Sequence, residues 1–252
     1  MAKFAVILPA AGKSSRFRDK EKKPFAILDG RAVWLRSAEL FVTREDVCQT
    51  ILVVNPDDME LFRRRFTANI AFMDIKIVEG GAERFESVAN ALAVLKPEAE
   101  YIAIHDAVRP CLTEELTNTV FAKAEQTGAA MLAVPVADTL KQVNAQQQIT
   151  GTVPRQGLWG AQTPQVFKRE ILVEAYARRG QFSQEITDDA QLVEALGLKV
   201  HVVEGASTNL KITTKNDLIL AEAVLKVLPK PKPKGPIHPF AEDDMWGGRP
   251  KK

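Results

Sequence analysis

The chain has 252 residues, 46% hydrophobic and 26% charged, with a formal net charge of +2. A core of that size needs no covalent staples, and Cys48 and Cys111 fit no metal or redox spacing, so reduced thiols and a cytoplasmic setting are expected. The positive charge belongs to the end of the chain, where six Lys/Arg face three Asp/Glu from Pro229 onward and leave −1 for residues 1–228; this argues against a nucleic-acid binder, and no apolar run suggests secretion or a membrane span.

In chain order, Phe4-Ala5-Val6-Ile7-Leu8 is a continuous apolar run, as expected of a strand buried on both faces. Further strands are predicted at Thr50-Ile51-Leu52-Val53-Val54, Ile75-Lys76-Ile77-Val78, Tyr101-Ile102-Ala103-Ile104, Met131-Leu132-Ala133-Val134 and Val200-His201-Val202-Val203. Helices are predicted between them. One spans 32–41; another spans 87–95, where Val88, Ala91, Leu92 and Leu95 share one face. Thr113, followed by Glu114 and Glu115, reads as an N-cap. Thr214 with Asp217 resembles a capping box opening a last helix to about Leu228. The alternation predicts an α/β fold: a mostly parallel, doubly wound, Rossmann-like sheet with helices on both faces. Residues 136–160 break the pattern. Val143 and Ile149-Thr150 flank a polar turn containing Gln146-Gln147-Gln148, which predicts a protruding β-arm. The resulting division is one folded α/β domain over 1–228 and a flexible Pro/Lys-rich tail over 229–252.

Ligands of such folds sit at the carboxyl ends of the strands, and the distinctive residues fall there. After the first strand comes Leu8-Pro9-Ala10-Ala11-Gly12-Lys13-Ser14-Ser15-Arg16-Phe17, then Lys20-Glu21-Lys22-Lys23-Pro24. Small residues let backbone N–H groups approach a phosphate, and the cations offset its charge. A glycine turn with a solvated charge run is the plain alternative. A P-loop also matches Gly12-Lys13-Ser14, but it requires a glycine where Ile7 stands. Gly80-Gly81-Ala82-Glu83-Arg84 through Ser87 joins a strand to a helix and suits a base or ribose, or is simply a turn. In His105-Asp106-Ala107-Val108-Arg109-Pro110, Asp106 suits Mg²⁺, or is a helix cap or half of an Asp106–Arg109 pair, while His105 reads as structural. Weaker sets follow at 135–141, 152–159, 162–167, 186–190 and 209–213.

The Leu-Pro-Ala-Ala-Gly-x-x-x-Arg segment, with Lys-Pro a few residues later, resembles the nucleotidyltransferases that join sugar phosphates to nucleotides. All the sets, in this order and from about Phe4 to Leu228, resemble the 2-C-methyl-D-erythritol 4-phosphate cytidylyltransferases of the non-mevalonate isoprenoid pathway. The resemblance implies that CTP gives its CMP to methylerythritol 4-phosphate, with release of pyrophosphate. It implies Arg16 and Lys23 as transition-state stabilisers and Arg155 and Lys211 as residues that position the sugar phosphate. Ala10, Ala11, Gly12, Gly81 and Ser87 would bind nucleotide. Arg109, Thr139, Thr163 and Thr187 would bind substrate, and Asp106 would hold Mg²⁺. It further implies a homodimer in which one subunit's arm reaches the other's site. Lys22-Lys23-Pro24 stands where the family often has Pro-Lys-Gln, which leaves Lys22 beside Lys23 as a triphosphate contact. Cytidylyl transfer to another polyol phosphate, such as ribitol 5-phosphate, and a non-catalytic nucleotide-binding regulator remain the competing readings.

Overall fold

The computed structural model describes residues 2–12, 17, 22–182 and 186–229. Arg16 and most of the expected tail, 230–252, lie outside the described residues.

A seven-stranded sheet forms the centre. Its strands, in chain order, are β1 (Phe4–Pro9), β4 (Val47–Val54), β5 (Ile75–Glu79), β6 (Tyr101–Ile104), β7 (Ala129–Pro135), β10 (Trp159–Lys168) and β11 (His201–Glu204). Their spatial order is β11-β7-β10-β6-β1-β4-β5. Two small hairpins complete the strand list: β2 (Ile27–Leu28) with β3 (Arg31–Ala32), and β8 (Leu140–Val143) with β9 (Ile149–Val153). All six strands read from the sequence are present and parallel to their parallel-sheet neighbours. The seventh, β10, runs antiparallel to both β6 and β7. It is not among the strands expected from the sequence; it contains Pro164, and proline removes a ladder donor. Its register shifts between Ala161 and Gln165, so the proline falls where the ladder is already irregular.

Helices cover both faces. Helices α1 (Val33–Val42), α2 (Met59–Phe72) and α4 (Glu114–Thr127) pack on one face, and α3 (Arg84–Leu92), α5 (Arg169–Ala177) and α6 (Asp189–Ala195) on the other. Strand β1 shows why: Phe4, Val6 and Leu8 enter the first core and Ile7 enters the second, the alternation of a pleated strand. In the first core Phe25, Trp34, Phe62 and Phe66 contact one another. Burial of each such ring stabilises the fold by about 1.5–3 kcal/mol. A third cluster seats α7 (Lys215–Val227) against Phe17, Leu28, Cys111 and Ile212. Thr113 caps α4 by accepting from the Leu116 N–H, and Thr214 with Asp217 forms the capping box of α7. Helix α3 starts at Arg84, earlier than the apolar period indicated, because Glu83 and Glu86 make a capping box.

The β8–β9 hairpin belongs to neither face. It pairs only within itself and turns through residues 144–148, with Gln147 at a positive φ of 62°. Its base is closed by the Val136 N–H donating to the Leu158 carbonyl at 3.0 Å. Among the described residues no helix is long and apolar enough to cross a membrane.

Candidate functional site

The ends of β1, β4 and β5 converge through backbone bonds. Ala10 N–H donates to the Val53 carbonyl and Gly80 N–H to the Val54 carbonyl, both at 2.8 Å. Asn55 donates its side-chain amide to the Ala11 carbonyl at 3.2 Å. Ser87, on the first turns of α3, accepts the Gly81 N–H at 3.1 Å and donates to the Glu83 carbonyl. Glycine is required at both Gly80 and Gly81. A Cβ on the first would strike the Ala11 side chain, and one on the second would strike Glu86. The expected nucleotide-binding residues Ala10, Ala11, Gly81 and Ser87 therefore share one neighbourhood, and Gly12 continues from it. Lys23 opens a single 3-10 turn, Lys23–Phe25. Its neighbour Lys22 is paired with Asp58 at 2.7 Å.

The end of β6 carries the charged centre. Asp106 Oδ2 lies 2.9 Å from Lys211 Nζ and 3.3 Å from Arg109 Nε. Lys211 arrives from the loop after β11, which is sewn to the β6 loop where Ile212 N–H donates to the Val108 carbonyl at 2.9 Å. Arg109 Nη1 also donates to the Asn209 carbonyl at 2.7 Å. Burial pushes the Asp106 carboxyl up, but Lys211, Arg84 and Arg109 outweigh it and hold the group well below the usual carboxylate range. Asp106 is thus an anion held among three cations. The Asp106–Arg109 pair, one of its open sequence readings, does form, with Lys211 added to it.

His105 is structural, as expected. It is fully buried, and burial pulls its imidazole down to about 4. Its Nε2 lies 3.1 Å from the Arg109 carbonyl and its Nδ1 lies 3.1 Å from Thr163 Oγ1. Thr163, on β10, accepts the Asp106 N–H at 3.1 Å.

A second charged group stands beside this one. Arg84 of the Gly-Gly-x-Glu-Arg element pairs with the fully buried Asp189 at 2.6 Å, and Tyr176 donates its hydroxyl to the same carboxylate. Burial disfavours the Arg84 charge, but Asp189 more than offsets that and keeps it protonated. Asp188 caps α6, and Gln165 accepts the N–H groups of Asp189 and Ala190. Arg84, Asp189, Gln162 and Asn209 were not singled out by the sequence. Each lies inside a quoted motif, but pairings across 105 or 47 residues have no local signal.

Two expected groups are bonded elsewhere than to the Asp106 centre. Arg155 is exposed and donates to the Ala137 carbonyl at the base of its own arm, and Thr139 is exposed beside it. Thr187 is exposed, bonds Gln191 and lines an open cleft of about 410 Å³ with Met131, Ala133, Trp159, Ala161 and Val202.

Among the described residues no group of three or more His, Cys, Asp or Glu is placed to hold a metal ion. A single carboxylate nonetheless fits Mg²⁺, which keeps waters and takes one or two carboxylates plus substrate phosphates. In Asp106 both cations engage Oδ2.

The chain is similar to known proteins along most of its length. A sequence profile described as 2-C-methyl-D-erythritol 4-phosphate cytidylyltransferase matches residues 4–227. The protein of that name from Rhodopirellula baltica is 42% identical over 236 residues, covering 89% of this chain and 95% of its own. The one from Syntrophus aciditrophicus is 40% identical, covering 89% and 96%. The crystal structure of the Thermus thermophilus protein of that name superposes with a TM-score of 0.74 at 31% identity, covering 90% of this chain and all of its own. The sheet with its charged centre, and the match along nearly its whole described length, lead to one statement: this chain is a cytidylyltransferase, a member of the 2-C-methyl-D-erythritol 4-phosphate cytidylyltransferase family.

Proposed function

We propose that the protein moves CMP from CTP to 2-C-methyl-D-erythritol 4-phosphate, with the Asp106–Lys211–Arg109 centre as the meeting point of the two anions. A phosphate oxygen of the polyol phosphate attacks the α-phosphorus of CTP. The bond to the bridging oxygen breaks and pyrophosphate leaves. No protein nucleophile is needed, because the acceptor phosphate is one. The task of the chain is to align two mutually repelling anions and to offset charge as it builds.

The single observation carrying this reading is the ion cluster itself: one buried carboxylate with Lys211 at 2.9 Å and Arg109 at 3.3 Å, at the carboxyl end of the strand beside the small-residue loop. Lys211 and Arg109 would receive the polyol phosphate, and the Ala10–Gly12 backbone the nucleotide phosphates. Gly81 and Ser87 would hold the cytidine. Arg16 and Lys23 would neutralise the triphosphate, with Lys22, paired with Asp58, beside Lys23 in the chain. Asp106 would hold Mg²⁺, which would supply Lewis-acid neutralisation of the phosphate charge. Thr139 and Thr187 would bond substrate hydroxyls or phosphate.

Arg155 would act in a second copy of the chain. Its own chain leaves it at the arm's base, and the arm presents Val143, Ile149, Val153, Leu158 and Trp159 to the outside. Apolar groups gathered on a projecting hairpin suit burial against a partner. A homodimer with exchanged arms would complete each site. The thiols Cys48 and Cys111, unpaired with each other, suit a cytoplasmic setting.

The test is pyrophosphate release. Turnover is expected only with CTP, Mg²⁺ and methylerythritol phosphate together. A panel including ribitol 5-phosphate ranks acceptors by kcat/KM, and a higher value for another polyol phosphate would reassign the acceptor. CTP binding without turnover on any acceptor would point to a regulator.

A further inference from the structure

The Thr163 hydroxyl, expected to meet substrate, is already engaged inside the protein. A carbonyl oxygen only accepts, so His105 Nε2, 3.1 Å from the Arg109 carbonyl, must carry the ring proton. His105 Nδ1 is then a bare acceptor, and Thr163 Oγ1 at 3.1 Å donates to it. The same oxygen accepts the Asp106 N–H at 3.1 Å. The hydroxyl proton and one of the two lone pairs are committed, at a residue only 5% exposed beside one that is 0% exposed, so the hydroxyl has no proton left to donate to a substrate oxygen.

We propose that Thr163 and His105 are positioning residues for Asp106, and that Thr163 acts through this relay instead of touching the polyol phosphate. The chain of bonds runs from Asp106 N–H through Thr163 and His105 to the Arg109 carbonyl, and so ties both ends of the 105–109 loop. The rest of the loop is pinned as well. Ser37 donates its hydroxyl to the Ala107 carbonyl at 3.0 Å. Asn209 donates to the Thr163 carbonyl at 2.9 Å, while its own carbonyl accepts Arg109 Nη1. The two cations and the carboxylate therefore sit in one frame with Thr163 at its joint. The consequence for turnover rests on the cytidylyltransferase reading of this site; the hydrogen-bond relay itself does not.

The test uses the full-length chain with Thr163→Val, which keeps the shape and removes the hydroxyl, Thr163→Ser, His105→Phe and the Val/Phe double variant. Thermal melts identify variants that fold. A loosened frame costs turnover more than ground-state binding, so Thr163→Val should lower kcat by about 30-fold or more and move KM for the polyol phosphate by less than about threefold. Thr163→Ser should restore kcat to within about threefold of the parent, since it returns the hydroxyl. Residues of one relay do not act independently, so the double variant should be no more than about threefold worse than the worse single one. A rise in KM of about tenfold with kcat intact, or losses that multiply, would overturn the relay and return Thr163 to substrate contact. Imidazole ¹⁵N NMR reads the relay without substrate. The Nε2–H tautomer of His105 is expected, with its Nδ1 resonance displaced in Thr163→Val and kept in Thr163→Ser. An Nδ1–H tautomer would refute the relay whatever the activity. Parent enzyme without turnover on any polyol phosphate would instead refute the reading of the site, and the NMR result would still decide the relay.

Discussion

The end of β6 and the β8–β9 arm both carry expected site residues, yet they are built in opposite ways. Asp106, Arg109, Thr163 and Asn209 are buried and bonded to elements distant in the chain. Thr139, Lys141, Thr152 and Arg155 are exposed, and their hairpin pairs only with itself. A pre-built charge frame suits transition-state stabilisation, because dipoles already in place need no reorganisation during the reaction. A self-contained hairpin suits a part that completes its contacts on another surface. The difference is between a charge frame assembled within one chain and a projecting hairpin that pairs only with itself.

The sharpest way to break this contrast is at Asp106. Asp106→Ala leaves Lys211 and Arg109 facing each other without their anion, and kcat is expected to fall by about a thousand-fold, as when a preorganised electrostatic partner is lost. Pyrophosphate release measures it; a drop below tenfold would mean that the frame is not the reacting centre.

Next is Asp189, which anchors Arg84 in the same rigid half. Asp189→Asn removes the fully buried anion that pairs with the part-exposed Arg84 and should cost about 2 kcal/mol in urea unfolding.

The arm is probed by Arg155→Ala, expected to reduce kcat/KM by about a hundred-fold by releasing the acceptor phosphate from its alignment. Mixing it with Asp106→Ala sharpens the comparison. If the arm crosses a twofold axis, half of the mixed dimers are heterodimers with one intact site, so about a quarter of parent activity should return. No recovery on mixing would place Arg155 in its own subunit's site.

The smallest effect is expected at Lys141, whose Nζ donates to Thr152 at 2.6 Å on the exposed face of the hairpin. Lys141→Ala should change unfolding free energy by less than about 0.5 kcal/mol. A loss comparable to that at Asp189 would show the arm to be as tightly built as the core.

Much of this was legible in the residues. Apolar runs marked six strands of the central sheet; the inner ones, such as β1 and β6, are nearly continuous because a strand buried on both faces has no room for polar side chains, while the edge strands β5 and β11 admit Lys76 and His201. Thr113 and Thr214 announced helix starts, because capping is a bond between near neighbours in the chain. Small residues at Ala10, Ala11 and Gly81, and Asp106 after a buried strand, marked the working end of the sheet. What local pattern missed was what distance decides. Strand β10 is not among the expected strands; it contains Pro164, whose absent donor only the irregular ladder with β7 accommodates. The Arg84–Asp189 pair joins residues 105 positions apart, and the frame around Asp106 joins three loops that only the strand order brings together. Thr163 is the clearest case. Its residue type announced a hydroxyl at the site, but the direction of that hydroxyl is set by which atoms surround it. The sequence by itself determined the chemical groups and the strand ends that carry them; the tertiary structure decided which of those groups face one another and which are already committed, because burial leaves each donor and acceptor only the partners that packing supplies.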